Sequence, residues 1–183
     1  MSQLQLAVMA TTRDPLLHIP HLYHFTDTVN TARIKELDGL YSTAKLREME
    51  REFCAGGDQD SLNLDIRCGM DQYVHLCWAG GHPMAARIKE RKPDANLIYL
   101  KIDRAVLYTP GVKFATGVVY ANNTEIVDLE EAVERNLINF RSLYDWTDWR
   151  DHQAQAARRA AELCEILVPD YIPMAYIRNF PNG

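Results

Sequence analysis

The 183-residue sequence predicts an α+β fold, in which helices and strands are mixed without regular alternation. Asn96 to Ile102 is a near-continuous apolar run that is typical of a buried strand. Leu129 to Phe140 repeats apolar residues at the spacing of an amphipathic helix. An Ala/Arg-rich helix from Asp151 to Ala161 leads into a strand from Leu163 to Val168. The length fits one domain, so we expect residues 1–183 to form a single domain.

The first elements follow from a short strand and its helix-start signals. Leu22 to Thr26 is apolar and aromatic, which favours a strand. Asp27 or Thr28 can cap a helix that runs to about Leu37. Gly39 is the predicted end of that helix, because glycine accepts the left-handed conformation that ends helices.

The middle of the chain alternates charged and apolar stretches. Ala44 to Phe53 reads as an exposed helix, and Cys54 to Ser61 as a loop. Tyr73 to Trp78 is typical of a strand. His82 to Arg91 is predicted to be a helix, with Pro83 tolerated in its first turn.

The remaining segments are shorter. Val106 to Tyr120 is broken by proline and glycine, and we expect short strands and turns there. Tyr144 to Trp149 is an aromatic loop or a helix start. Ile172 to Phe180 is a predicted edge strand, where Pro173 can be tolerated.

Composition excludes several classes of protein. The net charge is −5 and 47% of residues are hydrophobic, which argues against disorder and against a strongly basic DNA-coating protein. No stretch reaches the roughly 18 apolar residues that a membrane span needs, and we see no signal peptide. The four cysteines contain no Cys-x-x-Cys pair, so reduced thiols and a cytoplasmic location are expected.

Polar residues inside apolar strands are the candidates for chemistry. His24 and Glu165 both interrupt such strands, and burying a polar group without a partner costs roughly 1–3 kcal/mol. Glu165 could instead be an edge-strand charge or half of a structural ion pair. His24 could be a satisfied core histidine, and Arg67 could be a surface arginine or the partner of Asp65. His18, His21 and His24 share a spacing of three, but Pro20 argues against a helix, so no metal site is expected.

Together these segments resemble the DarT family of bacterial toxin ADP-ribosyltransferases, over roughly Leu22 to Tyr176. The resemblance rests on segments that occur in the family's order. They are Tyr23-His24-Phe25-Thr26 followed by Gly39-Leu40, the strand Tyr73 to Trp78 followed by His82-Pro83-Met84, and Arg158-Arg159-Ala160-Ala161 followed by Glu165-Ile166-Leu167-Val168-Pro169.

The resemblance implies a fold with two small, mostly antiparallel sheets that form an NAD-binding cleft, with helices around them. NAD⁺ would be the substrate, and no metal would be needed. Glu165 would be the catalytic carboxylate, assisted by Arg67. The residues that would hold NAD⁺ are His24, Phe25, Thr26, Leu40, Tyr73, Trp78 and Met84. Family members often place an aromatic residue shortly after Pro-Met, where this chain has Ala85-Ala86, so Tyr73 or Trp78 would supply the stacking.

The implied acceptor is a nucleobase of single-stranded nucleic acid, with DNA favoured over RNA. Stacking surfaces beside positive charge suit a single strand, and the chain offers Tyr144, Trp146 and Trp149 near Arg141 and Arg150. A second basic cluster comprises Arg87, Lys89, Arg91 and Lys92. Core packing of the tryptophans and a solvated helix end for the cluster are the alternatives.

The resemblance also implies a biological setting. Such an enzyme would be a toxin of a toxin–antitoxin or phage-defence system, neutralised by an antitoxin of the macrodomain type. A protein-modifying ADP-ribosyltransferase and a non-catalytic nucleotide-binding module are the alternative functions.

Overall fold

The computed structural model describes residues 14–49 and 65–181. Its strands form two antiparallel sheets, which confirms the α+β prediction, although the sheets are unequal in size. The strands are β1 (Leu22–Asp27), β2 (Gly39–Tyr41), β3 (Tyr73–Cys77), β4 (Leu97–Ile102), β5 (Lys113–Ala115), β6 (Ile126–Asp128), β7 (Glu165–Pro169) and β8 (Tyr171–Pro173). Six of them form one sheet in the order β4-β1-β3-β7-β5-β6, and β2 pairs with β8.

Short helices connect these strands. The α-helices of the described residues are α1 (Thr31–Glu36), α2 (Thr43–Glu48), α3 (Pro83–Arg91), α4 (Leu129–Glu134), α5 (Phe140–Tyr144) and α6 (His152–Glu162), and residues 65–68 are also helical. The 3-10 turns are Pro15–His18, Thr28–Asn30, Met70–Gln72, Arg104–Tyr108 and Met174–Tyr176. None of the helices in these ranges has the length and apolar character that a bilayer crossing needs.

One face of the large sheet packs on the main core. Val74 and Leu76 of β3 and Ile166 and Val168 of β7 alternate onto that face, together with Phe114 of β5, and all are buried. Burying each such side chain is worth about 1.5–3 kcal/mol. Alternation then places the remaining side chains of β3 and β7 on the opposite face, where the polar residues lie.

The end of α1 differs from the prediction. Asp38 takes the left-handed conformation, with a φ of 56°, and Gly39 is already the first residue of β2. Gly39 is needed for a different reason, because a Cβ there would lie 2.5 Å from the carbonyl oxygen of Ile172. The glycine therefore permits close approach of β2 and β8.

The predicted helix from Leu129 to Phe140 is wrong in its second half. α4 ends at Glu134, and Asn136 adopts a φ of 53°. The amides of Asn136 and Leu137 donate to the carbonyls of Val133 and Ala132, which is the Schellman pattern that ends a helix. A second helix, α5, begins only at Phe140.

The start of α2 and the end of the last strand also differ from the predicted bounds. Ser42 caps α2 through the amide of Lys45, so that helix begins one residue before the predicted start at Ala44. The end of that predicted helix and the predicted loop from Cys54 to Ser61 lie outside the described residues. The predicted final strand, Ile172 to Phe180, is wrong beyond Pro173, where the chain enters a 3-10 turn.

Candidate active site

The site lies where the large sheet separates between β1 and β3. The described register joins these strands at one pair, Tyr23 and Cys77, although β1 pairs with β4 along its whole length. Beyond that pair, His24 bridges the separation with its side chain. Its Nδ1 atom lies 3.0 Å from the carbonyl oxygen of His75. A side chain therefore connects the strands where ladder pairing has ended.

The hydrogen bond to the His75 carbonyl determines which ring nitrogen of His24 carries the proton. A carbonyl oxygen only accepts, so Nδ1 of His24 carries the proton and donates. Burial lowers the pKa of His24, and the charge of the nearby His75 ring acts in the same direction, while the carbonyl opposes them. The neutral ring therefore keeps Nε2 as a hydrogen-bond acceptor.

Glu165 is the first residue of β7 and is buried, with 4% of its surface exposed. Its register partners are Cys77 on β3 and Ala115 on β5. A carboxylate in such surroundings needs a partner. Its Oε2 atom lies 2.8 Å from Nδ1 of His75, whose side chain is 28% exposed.

His75 thus connects the two residues that the sequence singled out. Its backbone accepts from His24 and its ring bonds to Glu165. Sequence reasoning missed His75, although it interrupts an apolar strand in the same manner as His24 and Glu165. Applying that criterion to the strand Tyr73 to Trp78 would have found it.

Asp65 brings a second carboxylate to the same place. Its Oδ1 atom is buried and has no hydrogen-bond partner within the described ranges. Burial raises the pKa of Asp65 to about 6, with Glu165 raising it further and His75 opposing. Arg67 lies two residues away in the same helical turn, 65–68, with its side chain exposed. The turn that carries Arg67 therefore approaches the His75 and Glu165 pair.

Phe25 and Thr26, which follow His24 in the motif Tyr23-His24-Phe25-Thr26, contact other neighbours. The Phe25 ring stacks on the ring of His82, 6.0 Å away. Thr26 is buried, and its hydroxyl accepts from the side chain of Asn30 at 3.0 Å. His82 caps α3 by accepting from the amide of Met84 at 3.3 Å.

The two aromatic residues predicted to stack on nicotinamide, Tyr73 and Trp78, lie in different surroundings. Tyr73 is half-buried on the face of β3 that carries His75. Trp78 is 1% exposed, and its ring packs edge-on against Phe114 and Phe140. Trp78 lies in the core and does not face the His75 and Glu165 pair. Leu40 is also a core residue, paired with Ile172 in the small sheet.

The predicted nucleic-acid surface is present only in part. Trp146 and Trp149 are 80% and 58% exposed, so core packing is the wrong interpretation for them. However, Nε of Arg141 lies 3.6 Å from the Asp145 carboxylate, and Arg150 pairs with Asp148. Each of the two arginines expected to supply positive charge beside these aromatic residues therefore lies next to a carboxylate. The cluster at the end of α3, from Arg87 to Lys92, is exposed as a solvated helix end.

Comparison with known proteins gives a family model that matches this chain and solved structures that resemble it. A family model described as "DarT: ssDNA thymidine ADP-ribosyltransferase, DarT" matches residues 23–180. Among curated proteins no relative matches. A DarTG from Thermosipho africanus in complex with ADP-ribose has a similar structure, with a TM-score of 0.64 and 18% identity over 86% of this chain. This chain spans 42% of the length of that protein.

Two structures of DarT from Thermus sp. 2.9 are also similar. The complex with ADP-ribosylated ssDNA has a TM-score of 0.64 at 14% identity, covering 87% of this chain and 79% of that one. The complex with NAD⁺ has a TM-score of 0.61 at 13% identity, covering 88% and 80%. These likenesses confirm the expected fold. The family match includes His24, His75 and Glu165 and confirms the resemblance indicated by the sequence motifs, so this chain belongs to the DarT family of ssDNA ADP-ribosyltransferases.

Proposed function

We propose that this chain transfers ADP-ribose from NAD⁺ to a base of single-stranded DNA, with Glu165 as the catalytic carboxylate. The observation that carries this proposal is the chain of contacts from His24 through His75 to Glu165, at the separation between β1 and β3. Residues from both ends of the chain meet there around one opening of the sheet. Family membership and the similarity to DarT bound to NAD⁺ support the choice of substrate.

In the proposed reaction the protein forms no covalent bond to the substrate. The bond between nicotinamide and C1′ of its ribose breaks, and the electron pair leaves with nicotinamide. A ring atom of the base then bonds to C1′ and loses its proton. Glu165 stabilises the positive charge that develops on the ribose and bonds the ribose 2′-hydroxyl through Oε1, since Oε2 is held by His75.

Residues of β1 bind NAD⁺ in this proposal. His24 offers Nε2 as an acceptor to a hydroxyl of the adenosine ribose. The backbone of Phe25 lies beyond the single β1–β3 pair, so its edge facing β3 is outside the ladder and can bond the nicotinamide carboxamide. We keep Tyr73 as the stacking residue, because Trp78 is enclosed in the core.

The exposed Arg67 is the proposed contact for the acceptor. Its guanidinium can hold the incoming base or a phosphate beside Glu165. Glu165 then accepts the proton of the attacking base, and the Arg67 guanidinium, which stays charged, assists by positioning that base. Thr26 and Met84 are the proposed supporting residues of the site wall, whereas Leu40, like Trp78, is enclosed in the core and is given no contact with NAD⁺.

Radiolabelled NAD⁺ tests this function. The chain is incubated with pools of single-stranded DNA, RNA and protein, and compared with Glu165→Gln. We expect label in DNA for the wild type and no label for the variant. Glu162→Gln is the matched control, because Glu162 lies on α6 and pairs with Arg158 at 2.6 Å.

The alternatives give different outcomes. Label in polypeptide would identify a protein-modifying enzyme, and label in RNA would change the acceptor. Absence of nicotinamide release with every acceptor would indicate a nucleotide-binding module without activity.

The biological setting is a further part of the proposal. Modified DNA bases would block replication, so the chain would act as a toxin in the cytoplasm and need a neutralising partner of the macrodomain type. Expression with and without such a hydrolase should then show growth arrest only without it, and Glu165→Gln should be harmless in both cases.

A further inference from the structure

His75 is a polar residue of the site that contacts Glu165 but has no contact with the substrate in the proposed mechanism. It lies on β3 between Val74 and Leu76, which both point into the core. Alternation places His75 on the face of β3 that carries Tyr73 and Cys77. Cys77 is opposite Glu165 in the ladder, so His75 is the diagonal neighbour of that carboxylate.

The hydrogen bonds of His75 define its protonation. Nε2 lies 3.2 Å from the carbonyl oxygen of Met70, which can only accept, so Nε2 carries a proton. Nδ1 lies 2.8 Å from Oε2 of Glu165 and donates to that carboxylate. Both ring nitrogens therefore point at acceptors, which is the arrangement that an imidazolium satisfies.

The surrounding charges favour the same state. Glu165 on β7 and Asp65 in the 65–68 turn face the ring as carboxylates, and His24 on β1 faces it as a neutral imidazole. Burial opposes the positive charge, but the hydrogen bond and the attraction of Glu165, with Asp65, outweigh it. Together they raise the pKa of His75 to about 9.

A fixed cation behind Glu165 has a consequence for the reaction. Electrostatic stabilisation of a developing positive charge depends on where the stabilising carboxylate is held. The bond to His75 limits Glu165 to one orientation, which leaves Oε1 for the substrate. Misplacing a reacting group by about 1 Å can cost about 100-fold in rate.

We propose that His75 is the positioning residue for Glu165: through the bond from Nδ1 to Oε2 it holds the carboxylate in a single orientation. This inference rests on the proposed role of Glu165 as the catalytic carboxylate. His75 acts through Glu165 and need not touch the substrate.

Two substitutions separate this role from a structural one. His75→Asn retains a neutral N–H donor near the position of Nδ1, whereas His75→Leu removes it. Nicotinamide release and DNA modification are measured from pH 6 to pH 10. We expect His75→Leu to lose about 100-fold in kcat, with the KM for NAD⁺ nearly unchanged, and His75→Asn to recover part of that loss.

The pH profile gives the second readout. Wild-type kcat should fall as pH rises above about 9, because the deprotonated Nδ1 then turns a lone pair toward Glu165. His75→Asn should lack this fall. A folded His75→Leu variant with wild-type kcat would overturn the proposal, as would the same alkaline fall in His75→Asn.

A measurement without turnover keeps the two proposals distinguishable. Nitrogen-15 NMR of the wild-type imidazoles at pH 7.5 should show His75 protonated at both nitrogens, and Glu165→Gln should remove that signature. A neutral His75 in the wild type would refute its positioning role. If the signature is present but no acceptor is modified, the proposed function fails while the pairing of His75 with Glu165 stands.

Discussion

His75 bonds to Glu165 diagonally across β3 and β7. In the ladder Cys77 is opposite Glu165 and His75 is opposite Leu167, yet Nδ1 of His75 reaches Oε2 of Glu165 at 2.8 Å. Residues two apart on a strand share a face, and long side chains can span the diagonal between neighbouring strands. The carboxylate that interrupts an apolar strand is thereby given a partner.

The first prediction concerns stability and pH. The pKa of His75 is raised to about 9 from 6.5, so its contribution to folding is complete below about pH 6.5 and is lost as pH rises through about 9. His75→Leu should therefore lower the free energy of unfolding by about 1–3 kcal/mol at pH 6 and by less at pH 10. Urea titrations at both pH values measure this difference, with His152→Leu on the exposed start of α6 as the control. If His75→Leu lowers the free energy of unfolding equally at both pH values, the raised pKa of His75 is contradicted.

The second prediction concerns Asp65, whose raised pKa means that its ionised form destabilises the folded chain. Its pKa is raised to about 6, so between pH 4 and pH 6 the folded chain keeps a proton that the unfolded chain releases. Stability from this group therefore declines as pH rises through that window. Asp65→Asn should unfold at a higher temperature than the wild type at pH 7.5 and show little gain at pH 4. Asp94→Asn, at an exposed position, is the control. If Asp65→Asn unfolds at the same temperature as the wild type at pH 7.5, the raised pKa of Asp65 is rejected.

The third prediction separates the two nitrogens of His24. Asn at this position keeps a donor for the His75 carbonyl but lacks the acceptor Nε2. His24→Asn should raise the KM for NAD⁺ by up to about 10-fold, the value of one hydrogen bond, with little change in thermal stability. Steady-state kinetics of nicotinamide release would measure it, with the exposed His18→Asn as the control. An unchanged KM would remove His24 from the substrate site.

The fourth prediction tests the close approach of the small sheet. A Cβ at Gly39 would lie 2.5 Å from the Ile172 carbonyl oxygen, so β2 and β8 would have to move apart. Gly39→Ala should cost about 1–3 kcal/mol, as overpacking does. Gly80→Ala is the matched control, because its Cβ would meet the Tyr23 ring at an ordinary 3.6 Å. Similar urea midpoints for the two variants would argue against the contact.

The fifth prediction concerns the exposed tryptophans between α5 and α6. If Trp146 stacks on a base of the acceptor strand, Trp146→Ala should weaken single-stranded DNA binding by about 1–3 kcal/mol. Nicotinamide release without DNA should stay unchanged. Fluorescence anisotropy with a labelled oligonucleotide measures the affinity, and Tyr171→Ala, which removes another exposed aromatic ring, is the control. Equal affinity of Trp146→Ala and wild type would show that the loop is not a stacking platform.

Local signals explain which elements were predictable. The apolar run of β4 and the proline-opened α3 were recognised because their causes lie within a few residues. The sequence did not predict the end of α4, because asparagine is a weaker signal than glycine for the left-handed conformation that Asn136 adopts. Gly39 was recognised as special, but its reason comes from a strand more than 130 residues away.

The sequence by itself determined the α+β class, the order of the motifs and the two polar interruptions, His24 and Glu165. Only the tertiary structure decided that His75 joins them, that Trp78 belongs to the core and that Trp146 does not. The physical reason is that strand periodicity fixes which residues share a face of one strand. Which strands become neighbours, and where a ladder stops, depends on pairing between segments that are distant along the chain.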